Sequence, residues 1–221
     1  MKLFMNGILR YSILLIAPLL FACRGPEARE NKNTVPVTAT SMSQAVDEKY
    51  ILDKKESLIT WKGYMLFESS NAHVGYAYVS DGELFVGKGR VTGGRVEVDM
   101  NSIADKVHGS DNDLINHLKS ADFFDVEKFP SSAFIITRVG SPKDGNVDIT
   151  GNLTIKGITN MVTFPAKVEV NGATVSATGK LVIDRTKWDV RYGSGKFFEN
   201  LANETISDDI ELDVKIVARK K

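Results

Sequence analysis

Apolar and polar residues alternate along most of the chain beyond residue 47, with a period of two. Val147, Ile149, Leu153 and Ile155 alternate with Asp148, Thr150, Asn152 and Thr154. Past Lys156-Gly157, the residues Ile158, Val162, Phe164, Ala166 and Val168 keep one parity. Such spacing gives each of two antiparallel strands one apolar face. A tight turn at Lys156-Gly157 sets Ile155 opposite Ile158 and Ile149 opposite Phe164. Near the C-terminus, Ile210, Leu212, Val214 and Ile216 alternate with Asp209, Glu211, Asp213 and Lys215, the pattern of a strand with one dry and one wet face. The spacing predicts strands near 49–54, 57–65, 72–79, 82–87, 90–100, 133–140, 146–155, 161–171, 174–184 and 205–218. Turn residues separate them at Asp81-Gly82, Gly87-Lys88-Gly89, Asp144-Gly145-Asn146 and Asn171-Gly172.

Two segments break the alternation. Residues 111–120 open with Asp and Asn, suited to a helix N-terminus, and then place Leu114, Ile115 and Leu118 in an apolar stripe. Residues 196–202, KFFENLA, are predicted as a second short helix. The fold class is therefore all-β: an antiparallel barrel of about eight strands with one or two short helices. A barrel of ~8 strands is either filled by its own side chains or holds one small ligand, and periodicity leaves both open.

The first residues read differently. Lys2 and Arg10 precede an apolar run, 12–22, with no acidic residue, so 1–22 are expected to be a signal peptide. Leu20-Phe21-Ala22-Cys23 looks like the lipobox of bacterial lipoproteins, which would make Cys23 the acylated first residue. Cys23 is the sole cysteine, so no intramolecular disulfide can form. Residues 23–46 have the composition of a flexible tether, and 47–221 form one domain-sized unit. The formal net charge of zero gives no basic excess for nucleic acid. The expected location is the bacterial cell envelope, lipid-anchored and facing the periplasm.

GNLTIKGITNMVTFP, residues 151–165, resembles the signature hairpin of the YceI-like polyisoprenoid-binding family. HLKSADFFDVEKFPSSAF (117–134) and LVIDRTKWDV (181–190) resemble further stretches of that family. Trp61-Lys62-Gly63 with His73-x-Gly75 resembles an early-strand variant found among its lipoprotein-type members. The resemblance spans nearly all of residues 50–220 and implies a lipocalin-like barrel holding an isoprenoid amphiphile, of polyprenol or quinone type, without catalysis. At ~25 cal/mol per Å², burying several hundred Å² of tail contributes on the order of 10 kcal/mol before ordering costs. The candidate lining is Ile59, Trp61, Val96, Val98, Ile149, Leu153, Ile155, Val162, Phe164, Leu181 and Ile183, with Leu114, Leu118, Phe123 and Phe124 as a lid. For any one of these, plain core packing is the competing reading.

Residues able to do chemistry are sparse. The three histidines are His73, His108 and His117. His73 either sits at the channel mouth against a ligand headgroup or makes a structural hydrogen bond. His117 lies four residues from Asp113, which on a helix gives an Asp–His hydrogen bond or half of a metal site. Neither HExxH nor GxSxG occurs. No cofactor, catalytic residue or metal ligand is assigned. The rivals to a lipid carrier are a lipid- or small-molecule-modifying enzyme using His73 or His117, and a structural envelope module with a filled barrel. An incompletely closed barrel would leave an edge for pairing with a second copy.

Overall fold

The computed structural model describes residues 47–66 and 72–221, so the predicted leader, Cys23 and the tether lie outside the described residues. Ten strands run β1 (Glu48–Leu52), β2 (Leu58–Gly63), β3 (His73–Gly87), β4 (Arg90–Asp99), β5 (Ala104–Asp105), β6 (Ser131–Val139), β7 (Val147–Ile155), β8 (Ile158–Asn171), β9 (Thr174–Asp184) and β10 (Asp209–Lys220). All pairings are antiparallel, in the order β10-β2-β3-β4-β6-β7-β8-β9, and β9 pairs back to β10. Eight strand positions thus close a barrel, which leaves no free lateral edge among them.

One of those positions is shared. β2 pairs with the first part of β3, from His73 to Tyr78, and β1 with its last part, from Glu83 to Val86. Both also lie against β10. The chain loops out between them, and Ser57 repairs the gap: its Oγ donates to Val217 O at 3.2 Å and accepts from Val217 N at 3.0 Å. A buried hydroxyl here takes the place of a missing ladder partner.

The central hairpin has the register its pattern demands, with Ile155 opposite Ile158 and Ile149 opposite Phe164. Lys156 and Gly157 both take positive φ, 48° and 72°, which matches the twist of the flanking strands. The split at Asp81-Gly82 is corrected: β3 runs straight through it with a bulge between Val79 and Asp81. Gly82 is there for space, since a Cβ would lie 2.4 Å from both Arg95 O and Leu52 Cδ1.

The helix α1 (Asp113–Lys119) is capped by Asn112, whose Oδ1 accepts from Ile115 N at 3.0 Å. Residues 196–202 do not form the second helix. Phe197 and Phe198 N–H both turn back onto Ser194 O, and Asn200 and Ala202 take left-handed φ values of 62° and 45°, which no α-helix accommodates.

The core divides along the barrel. The pole where β3 ends and β4 begins is filled by Tyr50, Leu52, Val79, Leu84, Val86, Val91, Val96, Val175, Ile216 and Ala218. Over the other pole the segment after β4, α1 and the turns after it pack together through Met100, Ile103, Ile115 and Val126.

Candidate functional site

Beneath α1 the barrel is hollow. The cavity there has a volume of about 300 Å³. Ile59 and Trp61 (β2), Ala77 (β3), Val96 and Val98 (β4), Phe134 (β6), Leu153 and Ile155 (β7), Phe164 (β8), Leu181 and Ile183 (β9) and Ile210, Leu212 and Val214 (β10) line its wall. Register accounts for the convergence. Trp61 lies between Gly75 and Leu212, Ile59 between Ala77 and Val214, and Leu212 faces Leu181. Leu114 and Leu118 of α1, with Phe123 and Phe124 behind it, form the roof. His73 lines the rim and is exposed.

Two of the positions named from the sequence lie elsewhere. Ile149 is one step deeper and borders a separate void of about 60 Å³. Val162 packs against the cluster around Leu153 and Phe164. Phe134, Trp188, Ile210, Leu212 and Val214 also line the cavity, beyond the positions named from the sequence. The β10 residues were visible as a dry face in phase with Leu181 and Ile183. Trp188 was not, because it arrives from a turn: it is 1% exposed and its Nε1 donates to Leu153 O at 3.0 Å.

Trp61 fits because its neighbour is glycine. A Cβ on Gly75 would stand 2.2 Å from the indole Cζ2 and 2.1 Å from Ala104 O. The indole therefore lies against bare β3 backbone. Its Nε1, and Ser132 Oγ, are buried without a hydrogen-bond partner among the described residues, and both residues line the cavity. Each such group left unpaired costs about 1–3 kcal/mol, which an occupant carrying an oxygen atom in reach would recover.

Arg185 closes one corner. It is 2% exposed, yet its guanidinium is well held: Nε donates to Ser207 O at 2.9 Å, Nη1 to Val190 O at 2.8 Å and Nη2 to Ile206 O at 3.2 Å. Asp208 lies 3.7 Å away. Burial draws the guanidinium below its usual pKa, with Asp208 and Asp184 opposing. Lys196 pairs with Asp184 at 2.8 Å and with Asp208 at 3.1 Å, and its own pKa is raised by them. Arg185 thus ties the strand end and the 190–207 loop to the cavity wall.

The remaining histidines are spoken for locally. His108 Nδ1 lies 3.0 Å from Asp105 Oδ1. His117 meets Asp122, at 3.2 Å, rather than the expected Asp113, because the chain turns back after α1. Its ring also packs edge-on against Phe123 and Tyr192. No group of three His, Cys, Asp or Glu side chains converges as a metal site among the described residues. Leu66, Tyr192, Phe197 and Phe198 are exposed on segments that continue from the rim.

Fold and cavity together define a closed antiparallel barrel with an apolar chamber in its interior. The description "YceI-like domain" matches residues 50–218, and the chain belongs to that family. A UPF0312 protein of Pseudomonas putida is 30% identical over 140 residues, covering 60% of this chain and 68% of the relative. Among solved structures, BcnA of Burkholderia cenocepacia superposes with a TM-score of 0.58 at 22% identity, over 76% of this chain and 99% of that one. A polyisoprenoid binding domain from Saccharophagus degradans gives 0.56 at 12% identity, over 78% and 98%. At those identities the likeness speaks for the fold.

Proposed function

We propose that this chain sequesters or carries an isoprenoid amphiphile of polyprenol or quinone type, tail inside the barrel, without chemical turnover. The observation that carries the reading is the cavity itself: about 300 Å³, walled by Leu, Ile, Val, Phe and Trp side chains, with few polar atoms turned inward. An isoprenoid has little but hydrocarbon to offer, and this chamber asks for little else. Family membership and the polyisoprenoid-binding neighbour support the same class of ligand. The buried Trp61 Nε1 and Ser132 Oγ favour an occupant with at least one oxygen over a pure hydrocarbon.

The setting we propose is the bacterial envelope, with the protein anchored through acylated Cys23 and facing the periplasm. The exposed Leu66, Tyr192, Phe197 and Phe198 beside the rim suit contact with a lipid surface during loading. The test is organic extraction of the purified chain followed by mass spectrometry of the extract. A co-purifying isoprenoid at near-equimolar amount is expected. Extracts free of lipid, together with no binding of added polyprenol or quinone, would overturn the reading. Metabolic labelling with a radioactive fatty acid, lost in Cys23→Ser, tests the anchor separately.

A further inference from the structure

The large chamber and the small void behind it share Val96, Phe134, Phe164 and Val214. Phe134 and Phe164 meet there, with ring centroids 5.7 Å apart and planes inclined by 53°. Each ring is seated on a glycine of the next strand. A Cβ on Gly151 would lie 2.4 Å from Phe134 Cζ, and one on Gly179 would lie 2.8 Å from Phe164 Cε2. The rings therefore occupy fixed positions at the boundary, between a chamber of about 300 Å³ and one of about 60 Å³. The smaller space is apolar on every side, bordered by Leu84, Val91, Ile136 and Ile149 among others, and has room for a short hydrocarbon end.

We infer that the Phe134–Phe164 pair is the stop that sets the length of tail the barrel accepts, and that the small void is a reserve subsite closed off by it. This rests on the proposed binding of an isoprenoid tail and adds which tails are preferred. A tail entering beneath α1 runs down the chamber until it meets the two rings. Further carbon atoms then gain no burial unless a ring gives way.

The experiment titrates the full chain with geraniol, farnesol and geranylgeraniol, and then longer prenols, each one isoprene unit longer than the last. Affinity is expected to climb along the series and then level off. In Phe164→Ala the two spaces join, and the level part begins at least one unit later; the affinity ratio across that added unit rises about tenfold, the contribution of roughly two more buried carbons. Gly179→Ala supplies the opposite control. It forces the Phe164 ring off its seat and into the passage, so levelling comes no later than in the parent chain. Thermal melts establish that both variants fold.

An unchanged levelling point in Phe164→Ala, or a later one in Gly179→Ala, would overturn the inference. Should no prenol bind any of the three proteins, the isoprenoid reading fails; the partition is then read with xenon. Two separate xenon sites in the parent that merge in Phe164→Ala uphold it, and one continuous site in the parent refutes it.

Discussion

Filling the chamber is expected to stabilise the empty protein and abolish its capacity, two effects of one substitution with opposite signs. Val98 is the position of choice. It lies on β4, lines the cavity and is only half-buried, so its free face looks into the hollow. Val98→Trp places roughly 100 Å² of additional apolar surface there, taking an aromatic side chain at the lower end of its usual burial. At ~25 cal/mol per Å² that is up to about 2.5 kcal/mol gained by the unliganded barrel. The same space is lost to a ligand tail, so affinity should fall by about 2.5 kcal/mol, close to 70-fold. Urea unfolding of delipidated protein reads the first effect, and titration with a fluorescent polyprenol reads the second. A variant that is destabilised by several kcal/mol would mean that the side chains already meet. One that binds ligand as well as the parent would mean that the ligand sits elsewhere. Either result removes the hollow from the argument.

Other expectations follow from single contacts. Gly75→Ala drives a methyl into Trp61 and the Ala104 carbonyl; it should cost about 1–3 kcal/mol and shift the tryptophan emission as the indole leaves β3. Arg185→Met leaves the carbonyls of Val190, Ile206 and Ser207 without their donor and Asp208 without its buried counter-charge, so chemical denaturation should show a loss of about 3–5 kcal/mol. Burial would raise the pKa of Asp105, but hydrogen bonds from the backbone of His108 and Val107 and from the His108 ring outweigh it and hold the carboxyl low. A folded value below the unfolded one means that Asp105 stabilises the protein above the ordinary carboxylate range, and that this contribution drains away as pH falls through the folded value. The gap in melting temperature between the parent and Asp105→Asn should accordingly be widest near neutral pH and narrow in acid; a gap that does not change with pH would refute the assignment.

The strands of the central hairpin and of β10 could be read from the sequence because one face of each is dry and the other wet, and no other arrangement satisfies that alternation. The first turn of α1 was equally plain, since Asn112 does locally what a cap must do. Segments with no periodic demand were less legible. KFFENLA has helix-forming residues, but Arg185 holds the carbonyls of Val190 and Ile206 on either side of it and fixes where that loop begins and ends. The cavity was legible as a set of positions, because in-facing residues follow from parity. Depth was not, so Ile149 was grouped with residues that lie above it. The role of Arg185 is not legible either, because its donors go to backbone carbonyls that only the folded loop supplies.

The hollow itself is written in pairs that only the register reveals. A closed barrel of this width tends to fill, and at one pole it does, with Tyr50, Leu52 and the valines around them. Elsewhere in the barrel three in-facing aromatic side chains of the strands are each set beside a glycine. Trp61 lies directly across from Gly75. Phe134 and Phe164 lie diagonally from Gly151 and Gly179, two residues along the facing strand. A ring beside a bare backbone can rest against the wall; beside any other residue it must lean toward the axis. Trp61 thus keeps the wall greasy and the chamber open, while Phe134 and Phe164, each held on its glycine, meet at the chamber's floor. All three glycines lie within strands rather than in turns, so their purpose is invisible until strand partners are known. An alanine at each of the three would leave composition, hydropathy and strand pattern nearly unchanged, yet it would push all three rings inward and narrow the chamber on which the proposed function rests.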